Sequence, residues 1–223
     1  EKYYKTFVLN TIRDNQVIAK GFTIDELEAE HTVILSLEPN LQYRPSFYVR
    51  FKQGAKEYDP NMQSGVFVSL HYHDDNWNFT KIKRDFQWEQ GIFDILKKLG
   101  LIENKETFTL PVNEYLDDKD ALYELVNWLN KNREYLEKEG FILQQNKLDK
   151  TYSTDKQELV IELKSDADWF DIYTKVKIGT YSIPFIQLKK HILNDIREFE
   201  LPNGEVAILP KEWFTRYQEI LPF

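Results

Sequence analysis

The chain has 223 residues, 42% of them hydrophobic and 15% aromatic, and carries a formal charge of −8. That much aromatic material excludes a disordered segment and suits one large core or two small ones. The absence of cysteine excludes disulfides, thiol nucleophiles and cysteine-ligated zinc.

Residues 151–223 hold 9 Lys+Arg against 12 Asp+Glu, and residues 1–150 hold 20 against 25, so the acid excess is spread along the chain. A dedicated duplex-binding module meets phosphate with a basic face, which makes DNA an indirect partner at most. No stretch approaches the roughly 18 uninterrupted apolar residues of a membrane span. The first residues, Glu1-Lys2-Tyr3-Tyr4, show neither an initiator Met nor an apolar signal core. We therefore expect a piece of a longer, cytoplasmic protein, or a chain that follows a removed tag, with no membrane partner.

In chain order, residues 4–12, 32–37 and 45–52 are rich in β-branched and aromatic residues and read as strands. The alternation is plain in the third, where Phe47, Val49 and Phe51 face one way and Tyr48, Arg50 and Lys52 the other. Residues 65–72 and 77–83 read as a hairpin closed by His73-Asp74-Asp75-Asn76. The period then changes. Trp88, Ile92, Ile95, Leu96 and Leu99 recur at helical spacing, with Asp85 placed to cap the start and Gly100 to end the helix. A second helix is expected from about Asp118, with Leu122, Leu125, Val126 and Leu129 as its apolar stripe, running towards Gly140. Residues 141–145 look extended.

Residues 146–156 are polar and mark a weak boundary between a mixed β/α region, 1–150, and a smaller α+β region, 151–223. Residues 158–164 and 169–178 read as strands with Gly179-Thr180 as a turn. Pro184 suits the first turn of a helix reaching about Asn194. Residues 199–209 read as a hairpin, with Asn203-Gly204 favouring a type I′ turn. Pro210 opens a last helix with Trp213, Phe214 and Tyr217. The expected fold is α+β, with mainly antiparallel sheets and hairpins and several packed helices.

Motifs for catalysis are sparse. The eight glycines stand too far apart for G-x-G-x-x-G, and no Gly-Lys-Ser/Thr exists for a P-loop. No Gly-x-Ser-x-Gly elbow occurs, and His31 and His191 are isolated. His71 and His73 would share one strand face, and with Asp74 or Asp75 could chelate a metal, although the same residues suit a plain hairpin end. Asp166, Asp168 and Asp171 cluster around Trp169 and Phe170. An EF-hand loop would need glycine and glutamate where Asp171 and Lys177 stand, so calcium is not indicated. The Tyr48, Arg50 and Lys52 face offers the aromatic-basic pattern of a single-strand nucleic-acid binder, with Lys81, Lys83 and Arg84 as a second basic run. The glutamates and aspartates around them weaken any such field, so solvated strand faces are the simpler account of both. No catalytic, cofactor-binding or metal residue is assigned.

Two stretches carry a family resemblance. The first is Ile82-Lys83-Arg84-Asp85, followed by Glu89 and an amphipathic helix ending Leu99-Gly100-Leu101. The second begins Asp168-Trp169-Phe170-Asp171-Ile172, passes Leu188 on a short helix, and runs from Phe199 through Leu201-Pro202-Asn203-Gly204-Glu205 to Leu209-Pro210-Lys211-Glu212-Trp213. This order resembles the bacterial helicase-associated region found upstream of the ATPase motor in Swi/Snf-family proteins. Asn203-Gly204-Glu205 stands where that family usually has Asp-Gly-Ser/Thr, a change that keeps the turn chemistry. The resemblance implies signature residues Arg84, Asp85, Trp169, Phe170, Asp171, Asn203, Gly204 and Trp213, and no catalytic residues. It implies a non-catalytic accessory or regulatory module of an ATP-dependent DNA translocase, partnered by the motor of the same polypeptide or by another protein. ATP and magnesium would belong to that motor, since neither a Walker loop nor an Asp-Glu-x-His segment is present here.

Overall fold

The computed structural model describes residues 2–14, 22–26, 30–73, 76–166 and 169–217. The chain opens with helix α1 (Lys2–Asp14), where a strand was expected over residues 4–12. Its aromatic and β-branched content favours extended backbone, but a helix lets Ile12 bury almost fully while α1 packs on the strand Val66–His73. Strand β1 (Phe22–Glu26) follows, then β2 (His31–Pro39), β3 (Pro45–Gln53) and β4 (Lys56–Tyr58).

Phe47, Val49 and Phe51 of β3 are buried, and Val33, Leu35 and Leu37 of β2 lie opposite Phe51, Val49 and Phe47. The alternation expected of β3 thus builds the centre of the main core. Next come β5 (Val66–His73) and β6 (Asn76–Lys83), paired antiparallel as the expected hairpin, with β1 added parallel to β6. Asp74 and Asp75 lie outside the described residues.

Helix α2 (Phe86–Lys98) is capped by Asp85, whose side chain accepts from Trp88 N at 2.9 Å. Gly100 ends it at φ 92°, a conformation that favours glycine. Strands β7 (Ile102–Asn104) and β8 (Thr107–Thr109), a 3-10 helix (Pro111–Tyr115), α3 (Asp118–Lys138) and β9 (Phe141–Gln145) complete the first part. The main sheet runs β7-β8-β3-β2-β9, with β4 on β3 and β9 parallel to β2. Ile92 and Leu96 of α2 and Leu125, Val126 and Leu129 of α3 enter the same core.

The second part holds β10 (Gln157–Asp166), β11 (Trp169–Ile178), β12 (Tyr181–Pro184), α4 (Phe185–Leu193), β13 (Glu198–Glu200), β14 (Val206–Ile208) and α5 (Lys211–Tyr217). A second core gathers Val176, Ile178, Leu188, Ile192, Leu209, Trp213 and Phe214. Strand β14 stands between the cores. Val206 and Ile208 belong to the first, Ala207 and Leu209 to the second, so the two-residue period of a strand serves both sides.

The β13–β14 loop corrects the expected type I′ turn. Leu201 N donates to Glu205 O (2.8 Å) and Gly204 N to Leu201 O (2.9 Å). Gly204 takes φ 84°, whereas Asn203 does not enter the positive-φ region. Pro202, with its φ locked negative, fills the first corner of a turn from Leu201 to Gly204 and leaves the left-handed position to Gly204 alone. The fold is α+β with mainly antiparallel sheets.

Candidate functional site

Arg84 is heavily engaged, with its side chain 1% exposed. It follows the end of β6, and the first turn of α2 brings Glu89 back beneath it. Arg84 Nε donates to Glu89 Oε1 (2.9 Å) and Nη2 to Glu89 Oε2 (2.6 Å), a two-point pair. Nη2 also donates to Pro60 O (3.0 Å), and Nη1 to Met62 O and Ser64 O, which pins the loop between β4 and β5. The guanidinium lies over Tyr58 (4.8 Å) and Phe86 (4.7 Å). Tyr58 Oη donates to Glu89 Oε1 (3.0 Å). Burial, then the neighbouring Glu89 carboxylate, push the Tyr58 phenol far above its ordinary value. Hydrogen bonding to Glu89 raises Arg84.

A second network joins the two parts of the chain. Tyr123 Oη on α3 donates to Glu198 (2.7 Å), which also accepts from Lys150 (2.5 Å). Arg197 pairs with Glu124 (3.1 Å), donates to Leu209 O (3.2 Å), and lies over the Tyr123 ring (5.2 Å). In the orientation that satisfies its neighbours, the Asn127 amide donates to Ile208 O and accepts from Arg197. The Asn130 amide similarly joins Ser153 O to Gln157. Tyr152 N bonds Gln145, and Ser153 N bonds Val206 O, so the polar stretch 146–156 is anchored on both parts.

A groove of about 320 Å³ lies between α3 and the β10–β11 hairpin. Its charges face one another: Arg133 pairs with Glu137 and Asp155, each at 2.8 Å, and Lys156 with Glu158 at 2.8 Å. Among the described residues, no group of three or more His, Asp or Glu is arranged to hold a metal. Nor is any helix of the described residues long and apolar enough to cross a membrane.

Comparison with protein-family models, with curated proteins and with solved structures returns no match.

The residues singled out from sequence separate into distinct places. Asp85 is the α2 cap, and Arg84 and Trp213 are internal rather than exposed. Arg84 therefore does not extend a surface basic run with Lys81 and Lys83, and Lys83 pairs with Glu26 (2.9 Å). Asn203 and Gly204 form the turn that returns the chain into β14. Trp169 pairs with Asp166, and Asp171 with Lys164, at the distal end of the β10–β11 hairpin. Their side chains, that of Phe170, and all of Asp168 lie outside the described residues.

Arg50 lies over Tyr48 (5.7 Å) and pairs with Glu38 (2.5 Å), with Asp59 at 3.8 Å, while Lys52 lies opposite Glu57. The aromatic-basic face is thus largely neutralised. His71 is exposed opposite Asn78, and the His73 side chain is outside the described residues. His31 stacks on Trp88 (4.9 Å), and His191 meets the edge of Phe199 (5.2 Å).

Sequence reading missed Tyr123, Arg197 and Glu198. One signal was present for the joint: Asn127 and Asn130 lie beside the apolar stripe of α3, where an amide needs a partner from another element.

Proposed function

We propose that this chain is a non-catalytic accessory module of a bacterial Swi/Snf-type ATP-dependent DNA translocase, which positions or restrains the motor through protein contacts. The observation that carries the reading is the order of signature residues from Arg84 to Trp213. Three further features support it. Arg84 and Glu89 form a clamp beside the Asp85 cap of α2, Leu201 to Trp213 supplies both the turn and part of the second core, and the Tyr123–Glu198–Arg197 network joins α3 to the start of β13. A motif whose spacing is tied to internal contacts of this kind suits a rigid spacer or brace.

The excess of acid gives the module a means of contact. A motor that holds DNA presents lysine and arginine to phosphate, and an acidic domain can dock beside that surface or compete with DNA for it. The rival reading, a single-strand binder using Tyr48, Arg50 and Lys52, has less support because Glu38 and Asp59 face its central cation. The coding sequence downstream of Phe223 provides the first test. A Walker loop and an Asp-Glu-x-His segment are expected there, and an unrelated domain in their place would remove the family reading.

A further inference from the structure

We infer that the β2–β3 turn and the 3-10 helix before α3 form a docking face for an apolar protein surface ringed by lysine and arginine. The partner's identity rests on the accessory-module reading above, while the face rests on its own geometry. Leu41 and Tyr43 in the turn are each 85% exposed, and Tyr115 and Val112 of the 3-10 helix are 84% and 47% exposed. Arg44 Nη2 ties the two segments together, donating to Asn113 O (2.8 Å) and Leu116 O (2.9 Å).

The turn is rigid for its length. Asn40 Oδ1 accepts from Gln42 N (2.9 Å) and Arg44 N (3.0 Å), Tyr43 N donates to Asn40 O (2.8 Å), and Asn40 N donates to Arg44 O (2.8 Å). Within it Tyr43 adopts φ 63°, a conformation natural to glycine and unfavourable for a bulky side chain. Such a cost is ordinarily offset by burying the ring, yet this ring stands in water. Glycine or asparagine would serve the turn better, so the use of the tyrosine lies outside the chain. An exposed aromatic on a fixed backbone loses little freedom on binding and suits an interface anchor.

Charge selects the partner. Glu114, Asp117 and Asp118 are exposed around the apolar residues, and Arg44, 3.3 Å from Asp118, offsets only part of that charge. A second copy docked face to face would bring these carboxylates against their own kind, whereas a lysine- and arginine-rich rim would complement them. A cleft of about 60 Å³ adjoins, lined by Asn40, Arg44, Asn113 and Glu114, and the buried Asn113 Oδ1 has no partner among the described residues. Two other apolar patches lack such a combination. Tyr72 and Trp77 pack on each other at 4.7 Å, and the α4 patch of Ile186 and Leu193 is interleaved with lysines.

The test is titration calorimetry of this chain with the ATPase motor of its own polypeptide, produced as a separate protein. Tyr43→Ser with Tyr115→Ser should weaken binding at least tenfold, Tyr72→Ser should not, and wild-type binding should weaken as salt rises. Tyr43→Gly supplies an independent arm: its thermal midpoint should be unchanged or higher while binding falls, opposite to what a merely structural tyrosine would give. Wild-type affinity in these variants would overturn the docking face and leave the accessory-module reading standing. Failure of the motor to bind wild-type chain would overturn both. Self-association of the chain alone, abolished by the same pair of substitutions, would make a second copy the occupant and overturn the choice of partner.

Discussion

Replacing Arg84 by methionine tests how the first part of the chain is held together. Methionine keeps much of the side-chain volume and removes the guanidinium. The change deletes both bonds to Glu89, the bonds to the carbonyls of Pro60, Met62 and Ser64, and the cation over Tyr58 and Phe86. The Glu89 carboxylate, 6% exposed, keeps the bond from Tyr58 Oη. Removing one member of a buried pair destabilises by about 3–5 kcal/mol, because the surviving charge stays desolvated. For a chain of this size that corresponds to a fall on the order of 10 °C in midpoint. Arg84→Met with Glu89→Leu should recover part of the loss, since neither charge then remains. Urea unfolding followed by far-UV circular dichroism and Trp fluorescence reads both variants. A loss below about 1 kcal/mol for Arg84→Met, the range of an exposed ion pair, would refute the clamp.

Three further predictions concern the joint, the buried phenols and one turn. Burial pushes the Glu198 carboxyl up, but the bonds from Lys150 and Tyr123 outweigh it and hold the group below its usual 4.5, so its contribution is present above that pH and lost as pH falls below it. Glu198→Gln should therefore cost about 1–2 kcal/mol at neutral pH, with wild type and variant converging in acid urea titrations. Tyr58 and Tyr123 are raised above 10 by burial and then by Glu89 and Glu198 respectively, so the stability they provide is intact below pH 10 and lost above it. Chains with both changed to phenylalanine should show a flatter alkaline stability profile. Gly179 has φ 55°, and an added Cβ would stand 2.1 Å from Asp155 Oδ2. Gly179→Ala should cost more than about 1 kcal/mol in thermal melts, with part of the loss recovered in an Asp155→Ala background.

Much of the fold is legible where local period and capping agree. Phe47, Val49 and Phe51 alternate with Tyr48, Arg50 and Lys52 because one face of β3 meets the core and the other is more open to solvent, and Asp85 and Gly100 bracket α2 as their side-chain and backbone preferences require. Strands β4, β7, β8 and β12 have three or four residues each, too few to display a period, and exist through pairing with neighbours. Helix α1 runs against the expected strand because Phe7, Val8, Thr11 and Ile12 are residue types that favour extended backbone, whereas their i, i+4 spacing suits a helix that packs on β5. Arg84 stands out in the sequence through the family resemblance, but its burial depends on Pro60, Met62 and Ser64, some twenty residues earlier. The Tyr123–Glu198 bond spans 75 residues, and nothing local to either residue announces it.

The most direct measurement of the proposed role is DNA-stimulated ATP hydrolysis by the whole parent protein, compared with a variant lacking residues 1–223. We expect the deletion to change the rate or the DNA concentration at half-stimulation. A rise would identify a restraining module, and a fall one that positions the motor. A parent protein that hydrolyses no ATP with or without DNA would contradict the proposal.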